Sequence, residues 1–244
     1  MAPRHSSTAP KAHPSLTESF PLKPGSTPGV IGGAKPSKAR VSKLSSHERL
    51  IQVPEQAPVR WLLRITLEEV KPTVWREFVV SNGCTLDQLH EIVQEVMGWD
   101  DAHLHRWLIG PLAFGDVKID DEDPNLTDEF DVRLRNLPLG LGSTFFYNYD
   151  LGDGWRHRLE LLEIQPAMKG GGNPAVIKGA NCCPPEDCGG PWGYQEFLKA
   201  IRDPEHEEHV ATLQWCGGSF DPTAFDLKGT QIDLQLLAQD QRNR

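Results

Sequence analysis

Two pairs of alternating apolar segments, each closed by a tight turn, constrain this chain more than any other feature. Residues 59–70, VRWLLRITLEEV, put Trp61, Leu63, Ile65 and Leu67 on one side and Arg64 and Thr66 on the other. A period of two marks a strand with one buried face. Lys71-Pro72 turns the chain, and residues 74–80, VWREFVV, read as the partner strand of a hairpin. The second pair is residues 144–150, TFFYNYD, and 155–164, WRHRLELLEI, flanking Leu151-Gly152-Asp153-Gly154. Asp-Gly between two alternating runs is a strong hairpin signal.

Helical spacing appears between and after these pairs. Leu86, Leu89, Ile92, Val93, Val96 and Met97 fall on one helical face. Thr85 with Gln88 forms a capping box, and Gly98 suits the position after the last turn, so residues 85–97 are predicted to be an amphipathic helix. Residues 103–109 and 113–119 read as short strands around Gly110-Pro111, and residues 175–180 as a further strand. Three C-terminal helices are expected over 192–201, 205–215 and 222–237. Asp203-Pro204 and Asp221-Pro222 each offer an N-cap acid before a proline suited to the first helical position. Strands with interspersed helices and no regular βαβ rhythm imply an α+β fold with a largely antiparallel sheet. It is built from two hairpins, one early helix and a C-terminal helical segment.

Composition places the start of that domain. Residues 1–57 hold eight prolines, four glycines, nine serines and no tryptophan, too little apolar surface to offset the entropy of ordering them. The segment carries eight basic against three acidic residues, a net of +5, while the whole chain is −9 and residues 58–244 therefore −14. The expectation is a disordered basic Pro/Ser/Gly-rich tail, residues 1–57, ahead of a domain spanning 58–244. The tail could make weak, salt-sensitive contacts with nucleic acid. The acidic domain lacks the clustered Lys and Arg of a phosphate-binding face. Five cysteines, with no apolar signal segment, argue against a disulfide framework, and no apolar run is long enough for a membrane span. A cytoplasmic protein without membrane contact is the resulting expectation.

Chemistry concentrates in two places. The first is residues 181–194, NCCPPEDCGGPWGY, a loop rigidified by proline and glycine. Cys183 and Cys188 form a C-x4-C pair that could share a tetrahedral zinc, with His206 and His209 supplying imidazoles from one helical face. The plainer reading is a rigid turn whose cysteines pack as small apolar residues. Glu186 and Asp187 would raise a thiol pKa and disfavour a reactive thiolate. The second place is a histidine group. His103 and His105, two apart on an expected strand, point the same way and could ligate one metal. His157 lies on the second hairpin near Asp150 and Asp153, so these five residues are the catalytic candidates. The competing reading has His105 on a sheet surface and Asp153 serving the turn. The acidic segment 120–131 carries seven carboxylates without the regular spacing and glycine bend of a calcium loop. Phe145, Tyr147 and Tyr149, without basic neighbours, read as core rather than as a base-stacking platform. Walker, G-x-G-x-x-G, G-x-S-x-G and H-E-x-x-H motifs are absent.

Five stretches together resemble the plasmid pRiA4b ORF-3-like family, some members of which are labelled transposon-associated. They are Lys71-Pro72-Thr73-Val74-Trp75-Arg76, Thr85-Leu86-Asp87-Gln88-Leu89-His90, Met97-Gly98-Trp99 with His103-Leu104-His105, Tyr149 to His157 (YDLGDGWRH), and Cys183 to Tyr194 (CPPEDCGGPWGY). Leu151 stands where the family usually has an aromatic, and Cys182 doubles a single cysteine. The resemblance covers residues 59–237. It implies an α+β domain and a lean towards mobile-element or DNA-linked biology, with no settled activity. No catalytic serine or tyrosine set among arginines supports recombination. Two functional readings follow. One is a non-catalytic binding or interaction module with a structural metal at the Cys-Pro loop. The other is a metal-dependent hydrolase-like enzyme using His103, His105 and His157.

Overall fold

β1 (Val59–Leu67) sets the geometry of the whole domain. Trp61, Leu63, Ile65 and Leu67 are buried while the residues between them are half-buried, as the alternation requires. β2 (Trp75–Ser81) pairs with it antiparallel, Leu63 opposite Phe78, and the intervening turn holds a cis Lys71-Pro72 bond. These features come from a computed structural model of the chain that describes residues 59–120, 123–168 and 172–243. The expected basic tail, residues 1–57, lies outside the described residues.

α1 (Leu86–Met97) begins at the expected box, with Gln88 Oε1 accepting the Thr85 N–H at 3.1 Å, and stops at Gly98 in the left-handed region at φ 88°. β3 (His105–Ile109) and β4 (Leu112–Gly115) form a small hairpin. Both are shorter than expected. His103 stands outside β3, and residues 116–119 turn rather than extend, since the Ile119 and Asp120 N–H groups both donate to Asp116 O. The acidic segment contributes a strand that its composition hid: β5 (Leu126–Asp128) lies parallel to β4. β6 (Thr144–Tyr149) and β7 (Trp155–Pro166) form the second hairpin, closed by a five-residue turn with Asp150 at φ 51°. β8 (Ala175–Ala180) adds to β2.

The strands make one sheet in the order β5-β4-β3-β6-β7-β1-β2-β8. Every neighbouring pair is antiparallel except β4 with β5, so the α+β reading with a largely antiparallel sheet holds. The two hairpins are joined through β7 and β1, which register over the full length of β1.

The C-terminal helices are α2 (Gly190–Arg202), α3 (His209–Trp215) and α4 (Leu227–Asn243). The last starts five residues after the expected boundary. Asp221 makes a turn with Thr223 and Ala224, and Asp226 is the residue whose side chain meets the free Lys228 and Gly229 N–H groups. Arg76 ties these parts together from a buried position. Its guanidinium donates to Val96 O at the end of α1, to Trp75 O and to Ala180 O at the end of β8, and lies 3.9 Å from the Phe225 ring centroid. No helix among the described residues is long and apolar enough to cross a membrane.

Candidate cation site and the adjoining acidic cleft

The Cys-Pro loop, ahead of α2, is pinned against the β6–β7 turn by polar contacts. Trp99, placed by the stop of α1, donates its indole N–H to Pro184 O at 3.0 Å. Tyr149 at the end of β6 donates its hydroxyl to Glu186 Oε1 at 2.9 Å and accepts from Ala102 N. The Asp100 N–H reaches the same Glu186 oxygen at 3.1 Å. On the far side, Asp153 Oδ2 accepts the Gly189 N–H at 3.0 Å. The approach is so close that a Cβ on Gly190, at φ 69°, would overlap Asp153 O, and one on Gly193 would overlap Cys188 O. The repeated glycines of this loop are therefore conditions of contact, not only of turning.

The contact surface encloses four ionisable side chains. His103 Nε2 lies 3.1 Å from Asp187 Oδ1, 3.7 Å from Asp150 Oδ2 and 3.8 Å from Glu186 Oε2. Asp150 has its other oxygen committed to the turn, accepting Gly152 N and Asp153 N. Its side chain is only 9% exposed, whereas that of Asp187 is 73% exposed. Neither His103 Nε2 nor Glu186 Oε2 has a hydrogen-bond partner although both atoms are buried, so the 3.1 Å approach to Asp187 is an ion-pair contact without hydrogen-bond alignment. Three carboxylates around one imidazole leave surplus negative charge in a partly dehydrated place, an arrangement a bound cation relieves. Ligand-capable atoms of His103, Asp150 and Asp187 all lie within 4.8 Å of one another, and this is the one such group among the described residues.

The zinc set expected at Cys183, Cys188, His206 and His209 does not assemble in this way. Cys188 and His206 do line one cleft, between α2 and α3. Cys183, however, is buried beside Arg76, and His209 spends its Nδ1–H on Ala200 O at 2.8 Å. Burial pushes both thiols up to about 12, with Asp153 adding to the effect at Cys188. The acids that sequence reasoning used only to argue against a thiolate, Glu186 and Asp187, are the ones that meet a histidine.

The histidine group divides. Because β3 starts at His105, His103 turns to the Cys-Pro loop while His105 Nε2 meets both oxygens of Glu129 at 3.0 Å. The two still border a common cleft of about 410 Å³, also lined by His90, Asp101 and Glu129. His157 is not on it. Its ring is fully buried under Trp99 and Tyr147, Nδ1 donates to Tyr147 O at 3.1 Å, and burial holds its pKa down to about 3. Asp153 serves the loop contact through Gly189 rather than the histidines. Phe145, Tyr147 and Tyr149 are core, as expected.

Sequence reasoning missed His90. It sits one turn from Leu86 on the buried stripe of α1, where a polar residue was the available signal, and its ring stacks on His105 at 3.5 Å. Glu129 was hidden in the acidic segment 120–131, and Asp101 carried no signal beyond its charge.

An eight-stranded, largely antiparallel sheet with a Cys-Pro loop pinned over one hairpin turn defines an α+β domain whose distinctive residues gather at a His-carboxylate centre. The chain belongs to the plasmid pRiA4b ORF-3-like protein family, whose profile matches residues 60–229. It is 41% identical over 160 residues to the uncharacterized protein y4hQ of Sinorhizobium fredii, covering 64% of this chain and 80% of that protein. It is also similar to the crystal structure of MM3350, a protein of unknown function from Methanosarcina mazei Go1, with 33% identity and a TM-score of 0.63. That match covers 71% of this chain and 98% of the other.

Proposed function

We propose that the domain is a cation-dependent binding module in which one divalent ion, held by His103, Asp150 and Asp187 with Glu186 beside them, fastens the Cys-Pro loop to the β6–β7 turn. The observation that carries this reading is the convergence of Asp187, Asp150 and Glu186 on His103 Nε2 at 3.1, 3.7 and 3.8 Å. The donor set of one imidazole and two carboxylates, with a third carboxylate nearby, suits Mn2+ or Zn2+ better than a thiolate-seeking ion. This keeps the structural metal at the Cys-Pro loop but moves it from the thiols to the carboxylates. Asp187, largely exposed, leaves the outer side of the ion open to a partner group.

Calorimetric titration of the full chain with Mn2+ and Zn2+ tests it. One site per chain is expected, lost in Asp187→Asn and His103→Ala and kept in Cys183→Ser and Cys188→Ser. An ion present at a hundred times its Kd should stabilise the fold by about 2.7 kcal/mol. Binding that follows the cysteines, or no saturable binding, overturns the reading.

A hydrolase-like reading has one observation in its favour, the shared cleft of His103 and His105. It retains those two residues, and the burial of His157 removes the third. Turnover of ester or phosphodiester substrates that appears with Mn2+ and vanishes in both His103→Ala and His105→Ala is what it requires.

A further inference from the structure

We propose that the groove between α2 and α3 docks a basic peptide segment of a partner protein, with an aliphatic side chain entering the groove and lysines or arginines meeting its rim. The groove has a volume of about 450 Å³, and no Lys or Arg lines it.

Small residues keep the two helices from closing on each other. Gly193 and Ala200 line the groove from α2, and Ala211 lines it from α3. Gly193 cannot be larger, since a Cβ there would overlap Cys188 O. The floor is aromatic: the Phe197 ring is buried, and Trp215 meets it edge-on with 5.9 Å between centroids. Tyr194, Phe197 and Leu198 anchor α2, whereas α3 buries no residue. A surface helix normally hides an apolar stripe. Here Trp215 and Val210 stay 52% and 64% exposed. Trp192, 76% exposed, stands one helical turn before the lining residue Glu196. Two exposed tryptophans beside one apolar groove make a surface that a partner covers, since such rings carry binding energy at little entropic cost.

The rim decides the kind of partner. Asp187, Glu196 and Glu208 border the groove, and Glu205 and Glu207 lie exposed in the turns just before α3. Lys199 is paired with Glu196 at 2.7 Å and is not a lining residue. A cationic segment is attracted by each of these carboxylates. A second copy of the domain, net −14 over residues 58–244, would set like charges against each other. The residues that carry this inference differ from those of the proposed ion site, apart from Asp187 at the shared border.

Fluorescence anisotropy of a labelled amphipathic leucine–lysine peptide with the full chain tests the inference, in about 0.15 M salt to screen diffuse attraction. EDTA keeps the ion site empty, so failure of this inference is distinct from failure of the ion site. One saturable site is expected, weakening as salt is raised. The same peptide with glutamate for lysine, or with serine for leucine, should bind about tenfold more weakly. Ala211→Arg places a tethered cation in the groove from an exposed helical position and should abolish binding. Trp215→Ala should weaken it about tenfold, and Glu196→Gln combined with Glu208→Gln should do the same with a flatter salt dependence. Ile232→Ser, which removes an exposed apolar residue of α4 outside the groove, should leave binding unchanged. Should Trp215→Ala not fold, Ala211→Arg still decides. No saturable binding, equal binding of either altered peptide, or unchanged binding in Ala211→Arg overturns the inference. So does a dimer in light scattering that Ala211→Arg dissolves, which would assign the groove to a second copy.

Discussion

At the scale of single residues, the polar groups that sequence reasoning treated as interchangeable histidines take three separate roles. His103 meets carboxylates at a loop junction, His105 pairs with a buried glutamate, and His157 is sealed in the core. Spacing along the chain could not separate them, because the division depends on where β3 begins and on which side of the hairpin Trp99 and Tyr147 pack. His157 has a measurable consequence. Its folded pKa is held near 3, against an ordinary value of 6.5. Below pH 6.5 the unfolded chain takes up a proton that the folded chain refuses, so stability is full above that pH and falls towards pH 3. Between pH 7 and pH 5 the loss from this residue is about 2 kcal/mol. Urea unfolding of His157→Asn, which can keep a donor near Tyr147 O, should show that much less acid sensitivity. An unchanged slope would mean that His157 is not the buried neutral group described.

At the scale of elements, the sequence was most readable where periodicity and punctuation agreed. Both hairpins, α1 and its capping box were legible because alternation, apolar stripe and cap residues all pointed one way. The errors fell where one signal stood alone. β5 was hidden in an acidic run because it is a three-residue edge strand held by backbone pairing, which needs no apolar pattern. The start of α4 was misplaced because Asp221-Pro222 mimics a helix opening, whereas Asp226 makes the capping bonds. Asp226→Ala should therefore cost about 1 kcal/mol in denaturant unfolding, and Asp221→Ala clearly less. The Cys-Pro loop depends on contact across elements. Gly190→Ala, which meets both a positive φ and Asp153 O, should destabilise the fold by about 1–3 kcal/mol. The same substitution should weaken ion binding by displacing Asp187. Wild-type affinity in that variant would show that the loop contact does not shape the site.

At the scale of the whole molecule, the domain concentrates negative charge rather than spreading it. Residues 58–244 carry a net −14, and carboxylates gather in the cleft beside β3 and at the loop junction. That excess was visible as composition from the start, but its placement was not, since Asp150, Asp187 and His103 are far apart in sequence and meet only through the order of strands in the sheet. Two of the stretches that resemble the family, 149–157 and 183–194, prove to be the two sides of one junction. The central claim is that a divalent cation occupies it. The most direct measurement is anomalous diffraction from a crystal of the full chain soaked in Zn2+. The account predicts a peak within about 2.0–2.2 Å of His103 Nε2, bordered by Asp150, Glu186 and Asp187. A peak at Cys188 and His206 instead, or none in a crystal whose loop is ordered, would contradict it.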